Sequence, residues 1–371
     1  MKNRIVTIIG LFALLSTASA AGPKADFNVI PVPRTICAGT SAPFVLDSNT
    51  KIYYEEGQKR NAAFLQQYIT DITGIVPELT DRPRKRGTIS LRVKDTSSDA
   101  EGYTLTVDKK NIHIVGNSPA GVFYAIQTLR KALPAGQASE VEIPSCIVED
   151  SPRFAYRGVH LDVVRHFFPV DSVKRYIDII ALHNVNRFHW HLTDDQGWRV
   201  EIKSRPRLTS VGAYRKQTAG DGTPHGGFYT QDEIRDIIRY AQERYITIIP
   251  EIDIPGHSAA ALASYPEIGC TGGPYEVCEV WGGPADVLCA GKDETMQFLQ
   301  DVFTEIAGLF PSQYIHIGGD ECVKRYWQTC PRCQALAKRL NLRPTPEHSV
   351  EEQLQSYAIK RMERFISGTL G

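Results

Sequence analysis

The sequence predicts an α/β chain in which a small α+β domain precedes a (β/α)8 barrel of TIM type, incomplete, with about four βα units. Three observations predict it. Short β-rich runs separated by turns fill the stretch from about residue 30 to 148. Strand-then-helix units replace them after Pro152, and polar or charged residues gather where the apolar strand runs end. At 371 residues the chain has room for two ordinary domains, or for one domain and a large barrel. The expected division is a leader over residues 1–20, an N-terminal α+β domain over 21–150 and the barrel over 151–371.

The leader is read from Lys2 and Arg4, which precede an apolar run from Ile5 to Leu15 that closes on Ala18-Ser19-Ala20. A basic start, a short apolar centre and small residues at the exit make a secretory signal with cleavage after Ala20; the run is too short to cross a bilayer. Secretion or delivery to a periplasm follows as an expectation, and no later segment reads as a membrane span. Basic and acidic residues number 42 each, so no general field draws the chain to nucleic acid or an anionic membrane. A neutral, polar partner fits this balance better.

Eight cysteines then sit in a chain bound for an oxidising compartment, where loop-stapling disulfides are permitted. Cys330 and Cys333 form a C-x-x-C beside Cys322, but the second matched pair of a zinc ribbon is missing from the sequence. Disulfides of unreadable connectivity are the expectation, with a structural zinc as the alternative.

In the first domain, Tyr103-Thr-Leu-Thr-Val107, a polar turn and Ile112-His-Ile-Val115 read as a β-hairpin. Asn117-Ser-Pro-Ala-Gly121 leads into an amphipathic helix with Val122, Ala125, Ile126 and Leu129 on one face. In the second, four apolar strands are expected near 159–163, 187–192, 246–252 and 314–317. Helices are expected over 171–183, 230–244 and 293–309. Thr230 with Glu233, and Ser349 with Glu352, have the spacing of capping boxes, the second opening a further helix. The Gly- and Pro-rich stretch 269–291 reads as a long loop, of the kind that shapes a binding site at the top of a barrel.

The densest chemistry lies at the ends of the four strands: Asp162 and Arg165, Asp194 and Asp195, Glu251, Asp253 and His257, then Asp320 and Glu321. In a barrel these ends converge on one pocket. Crowded carboxylates repel, which raises the pKa of one and keeps another ionised, as cleavage of a glycosidic bond requires. Gly318 and Gly319 ahead of the acid pair remove side chains where backbone and ligand come close. His189 and His191 alternate on one strand and point the same way, which also admits a metal-dependent barrel hydrolase completed by Asp253 or Asp320. Of Trp190, Trp198 and Trp281, aromatic residues that wall a sugar or fill a core, only Trp281 falls in the long loop.

Four stretches carry a specific likeness. Residues 157–168 read Arg-Gly-Val-His-Leu-Asp-Val-Val-Arg-His-Phe-Phe, and residues 189–199 read His-Trp-His-Leu-Thr-Asp-Asp-Gln-Gly-Trp-Arg. Residues 250–257 read Pro-Glu-Ile-Asp-Ile-Pro-Gly-His, and residues 316–321 read His-Ile-Gly-Gly-Asp-Glu. In content and order they resemble the signature segments of family 20 glycoside hydrolases, the β-N-acetylhexosaminidases. Residues 119–130 resemble that family's N-terminal accessory domain.

The resemblance implies exo-hydrolysis of terminal β-linked N-acetylglucosamine or N-acetylgalactosamine from an oligosaccharide or glycoconjugate. It implies a substrate-assisted route, in which the sugar's own acetamido oxygen attacks C1 and configuration is retained. It implies that Glu321 is the general acid and base and that Asp320 holds the acetamido N–H. Asp194 and His257 would position Glu321, and Arg165 would grip sugar hydroxyls, with no cofactor and no metal. For Arg165 an ion pair with Asp162, and for His257 a satisfied core histidine, remain open as structural roles. The family continues through four more strands, so the chain is expected to be a fragment; a non-catalytic, sugar-binding remnant is the alternative.

Overall fold

The computed structural model describes residues 22–94, 99–282 and 286–370, so the expected leader lies outside the described residues. The chain divides into two compact units, residues 1–150 and 151–371.

In the first unit the strands are β1 (Thr35–Ala38), β2 (Phe44–Asp47), β3 (Lys51–Tyr54), β4 (Glu78–Thr80), β5 (Thr88–Val93), β6 (Tyr103–Val107), β7 (Asn111–Gly116), β8 (Glu140–Ile143) and β9 (Cys146–Asp150). Seven of them form one mixed sheet in the order β1-β9-β6-β7-β5-β3-β4, and β2 pairs with β8. The expected hairpin is β6 and β7, antiparallel from Tyr103 opposite Gly116 to Val107 opposite Ile112. Alternation explains its placement, because Leu105, Val107, Ile112 and Ile114 are buried on one face. Two helices, α1 (Lys59–Thr73) and α2 (Pro119–Ala132), pack on the sheet and on each other. Ser118 caps α2 by accepting the Ala120 N–H, and Pro119 occupies the first turn, where a missing N–H costs nothing.

In the second unit β10 (Gly158–Asp162), β11 (Arg187–His191) and β12 (Thr247–Glu251) form a parallel sheet in that order. Asp162 is opposite His191, and His191 is opposite Glu251. The crossovers are α3 (Val170–Leu182) and α4 (Gln231–Gln242), the latter opened by the Thr230–Glu233 capping box. Phe188 on β11 packs against Tyr176 of α3, and Trp190 against Tyr229. That sends the intervening residues, His189 and His191, to the opposite face of the sheet. Two further long helices follow, α5 (Asp293–Leu309) and α6 (Val350–Phe365), the second opened by Ser349 and Glu352 as expected.

The strand expected over 314–317 is reduced. His316 makes a single parallel bridge to Glu251, held by His316 N–H to Pro250 O and Ile252 N–H to His316 O. Tyr314 is exposed, and Gly318 and Gly319 take positive φ immediately afterwards, which turns the backbone out of the extended state. The segment occupies the fourth strand's place beside β12 without its length.

Candidate active site

Each ladder of this sheet ends on a charged side chain, and the register brings those ends together. Arg165 follows β10, and its Nη1 donates to Asp162 Oδ2 at 2.9 Å and to Asp194 Oδ2 at 2.6 Å. The ion pair with Asp162 is therefore real, and it leaves the guanidinium free for a second duty. Arg165 Nε has no hydrogen-bond partner among the described residues.

Asp194, fully buried, is the hub. Its Oδ2 also lies 2.8 Å from His191 Nε2, and its Oδ1 lies 3.1 Å from His257 Nδ1. Burial works against its charge, but the hydrogen bonds from His191 and His257 and the nearby Arg165 outweigh it and hold the carboxyl far below its usual range. The other nitrogen of His257 faces the acid pair: Nε2 lies 3.6 Å from Asp320 Oδ2 and 3.5 Å from Glu321 Oε2. Its hydrogen bond to Asp194 raises the His257 pKa to about 9 against the effect of burial. Both His257 and Glu321 hold φ at 48°, in the left-handed region that ordinary residues occupy only when their surroundings fix them there.

A second carboxylate, Glu251 at the end of β12, gathers three histidines. His189 Nε2 lies 2.7 Å and His191 Nδ1 2.5 Å from its Oε2, and His316 Nδ1 lies 2.9 Å from its Oε1. Burial opposes the charge here too, and the three imidazoles overcome it. His191, buried between Glu251 and Asp194, is desolvated, yet its hydrogen bonds to the two carboxylates raise it to about 10. His191 thus bridges the two carboxylates, Glu251 and Asp194, whereas His189 meets Glu251 alone.

Burial raises the pKa of Asp195, and a second raised carboxyl is Asp253, pushed up to about 7 by burial and by the negative charge of Asp320. It accepts the Gly319 N–H at 3.1 Å. The sequence shows crowding among these acids but not which of them burial raises.

One cavity of about 520 Å³ collects these groups, with Arg165, Asp194, His257, Glu321 and Trp281 in its wall. Asp320 is not among its lining residues, although its carboxylate shares His257 Nε2 with Glu321. Trp190 and Trp198 are buried core residues, whereas Trp281 is 72% exposed with the Arg165 guanidinium 5.5 Å from its ring centre. The network of Glu251 with His191 went unassigned in the sequence. Its only signal was the alternation that sends His189 and His191 to one face.

The sequence model described as "Glycosyl hydrolase family 20, catalytic domain" matches residues 154–369, and "Glycosyl hydrolase family 20, domain 2" matches residues 26–151. The chain belongs to glycosyl hydrolase family 20. This family 20 chain is 41% identical to a beta-hexosaminidase of Porphyromonas gingivalis, over 91% of its own length and 44% of that relative's. It is 37% identical to a beta-hexosaminidase of Vibrio furnissii, over 92% and 56%. Among solved structures it resembles the family 20 β-N-acetylhexosaminidase of Streptomyces coelicolor A3(2), with a TM-score of 0.76 and 38% identity over 86% of this chain and 64% of that one. It also resembles the exo-β-N-acetylglucosaminidase of Vibrio harveyi, solved with N-acetylglucosamine. There the TM-score is 0.82 and the identity 33%, over 95% and 55% of the two chains. The family 20 chain spans about half the length of the relatives it matches. Its fold class is that of these neighbours, an N-terminal domain followed by a TIM-type barrel.

Proposed function

We propose that this chain supplies the acid side of an exo-β-N-acetylhexosaminidase site acting on terminal β-linked N-acetylglucosamine or N-acetylgalactosamine. The observation that carries the reading is the line Asp194, His257, Glu321, with Asp320 on the same imidazole and Arg165 across the cavity. The names of the relatives at 41% and 37% identity support the same activity.

In this reading Glu321, exposed towards the pocket, protonates the leaving oxygen while the substrate's acetamido oxygen attacks C1 and the glycosidic bond breaks. Asp320 accepts the acetamido N–H and balances the positive charge of the oxazolinium that forms. Water, deprotonated by Glu321, then opens the oxazolinium from the face the leaving group vacated, so configuration at C1 is retained. His257, tied to Asp194, holds Glu321 in reach. Arg165 grips ring hydroxyls with the donors that Asp162 and Asp194 leave free. None of these steps needs a cofactor.

The finer fold reading belongs to the same proposal: about four of the barrel's eight βα units over residues 151–371, preceded by an accessory domain over 21–150. The three paired strands with His316 bridged beside them support it. Export to a periplasm or the exterior, through a leader over residues 1–20, is proposed from the sequence alone. Among the described residues no helix is long and apolar enough to cross a membrane.

The test is hydrolysis of a chromogenic β-N-acetylglucosaminide, with the first-formed sugar followed by NMR. Retention at C1 and a fall of about 10²–10⁴-fold in kcat for Glu321→Gln are expected. Turnover unchanged in that variant overturns the assignment.

A further inference from the structure

None of the eight cysteines is disulfide-bonded, contrary to the sequence-based expectation, and four of them meet. Cys289 Sγ lies 3.6 Å from Cys333 Sγ and 3.8 Å from Cys330 Sγ, and Cys270 Sγ lies 3.9 Å from Cys333 Sγ. All four sulfurs lie within 4.8 Å of one another. A disulfide would bring one pair to about 2.05 Å and single it out from the rest. Here three separations are nearly equal. With metal–sulfur bonds of about 2.3 Å, a tetrahedral zinc tetrathiolate has its sulfurs about 3.8 Å apart.

The geometry points to a structural zinc site formed by Cys270, Cys289, Cys330 and Cys333. The second matched pair that the sequence lacks is made by the fold. Cys270 and Cys289 lie at opposite ends of the long loop and are brought together where Gly269 and Leu288 form an antiparallel bridge and Cys289 N–H donates to Ile268 O. Cys330 and Cys333 lie at the start of the helix Pro331–Arg339.

Two local features suit a metal. A Cβ on Gly291 would fall 2.3 Å from the Arg332 carbonyl carbon and 2.5 Å from Cys333 N, so only glycine lets the two cysteine-bearing turns approach this closely. The surroundings are apolar: Val287, Trp327, Leu336 and Leu354 pack around Cys289, Cys330 and Cys333, and the four-residue group contains no carboxylate or imidazole. Three buried sulfurs and one half-buried sulfur, gathered in an apolar setting, are weakly satisfied as thiols and fully used as ligands. Zinc binding would release the thiol protons that remain and join the sulfurs by four bonds.

Such an ion joins two walls of the catalytic cavity. The loop between Cys270 and Cys289 carries Trp281 and Val287, and the segment leading to Cys330 carries Glu321 and Val323, all four in the cavity wall. The inference does not depend on the hydrolase reading, since metal content is measured apart from turnover.

The experiment uses the full chain, purified without chelator. One zinc per chain by elemental analysis is expected. Denaturation in chelator should then expose eight reactive thiols, and cobalt replacing zinc should give the intense visible bands of a tetrahedral thiolate complex. Cys270→Ser, at the half-exposed corner of the site, should lower zinc occupancy at least tenfold in competition with a chelator, whereas Cys278→Ser should retain one zinc. A mass lower by the four hydrogens of two disulfides, only four reactive thiols, or a coloured iron protein would overturn the assignment, as would equal zinc content in Cys270→Ser.

Discussion

His257 Nδ1 is hydrogen-bonded to Asp194 Oδ1 at 3.1 Å while its Nε2 lies 3.5 Å from Glu321 Oε2, so one imidazole stands between a fully buried carboxylate and an exposed one. Both His257 and Glu321 hold a left-handed backbone, each at a cost on the order of 1–3 kcal/mol. The strand-end turns that impose it aim the two side chains at each other across the gap between β12 and the His316 segment. The arrangement places a buried anion behind a cation and the cation behind an acid.

Asp194→Asn tests that order. Asp194 is the main cause of the raised His257 pKa, so in the variant the value should fall from about 9 toward 6.5, read from the imidazole proton resonances over pH. The stability consequence has a definite sign. A histidine raised in the folded state contributes fully below about pH 6.5 and loses that contribution as pH rises through 9. Asp194, lowered in the folded state, contributes above its ordinary 3.8 and loses it as pH falls below that value. Both limbs should shrink in Asp194→Asn, and kcat should fall by up to about 10²–10⁴-fold with KM little changed. A His257 resonance that titrates as in the unaltered protein would end the relay.

Asp253→Asn isolates the opposite case. Burial and Asp320 raise the Asp253 carboxyl to about 7, so the folded chain keeps a proton that the unfolded chain gives up near 3.8. Stability from this group is therefore present at low pH and falls as pH rises from about 3.8 to 7, by at most on the order of 4 kcal/mol. Asparagine keeps an oxygen for the Gly319 N–H and removes the titration. Melting curves at pH 5 and pH 8 should converge in the variant, and a pH dependence parallel to that of the unaltered protein refutes the assignment.

The strands and their polar ends were legible because periodicity reports burial directly. Phe188 and Trp190 alternate with His189 and His191, and the fold follows that alternation. Pairings over long distances were not legible. Nothing near Glu251 in sequence marks it as the acceptor for three imidazoles, two of them on β11 and one 65 residues further on. Cys270 and Cys289 become a pair only when the loop closes on itself. The shortening of the fourth strand had a visible cause in Gly318 and Gly319, whose backbone freedom was read as space for a ligand. Their positive φ also ends the strand.

Gly318→Ala measures that close approach. A Cβ there would lie 1.6 Å from Asp253 Oδ1 and 2.9 Å from Asp253 Cα, at a φ of +64°. Left-handed strain and overpacking each cost about 1–3 kcal/mol, so a clear fall in Tm is expected. Removing the opposing carboxylate in Gly318→Ala/Asp253→Ala should recover part of it, a coupling that a double-mutant cycle reads. Gly308→Ala, inside α5 with open space around the added methyl, should instead be neutral or stabilising by up to about 1 kcal/mol. Equal losses at the two glycines would show that the contact with Asp253 is not the cause.

Trp281→Ala separates the pocket wall from the fold. The indole is 72% exposed, so truncation removes little buried area and Tm should stay within about 0.5 kcal/mol of the unaltered protein in stability terms. The ring nevertheless faces the Arg165 guanidinium at 5.5 Å, and both line the cavity that holds Glu321. A cation over an aromatic face at a partly desolvated site is worth about 0.5–2 kcal/mol, and under the proposed function the loss of an apolar wall from the sugar's pocket adds to it. The Kd for N-acetylglucosamine, read by titration calorimetry, should therefore rise by roughly 5- to 30-fold, with about tenfold per 1.4 kcal/mol. Because the charges that raise His257 are those of Asp194, Asp253 and Asp195, the His257 titration should not move. A changed Tm with unchanged affinity would make Trp281 a packing residue and leave Arg165 to bind the sugar without it.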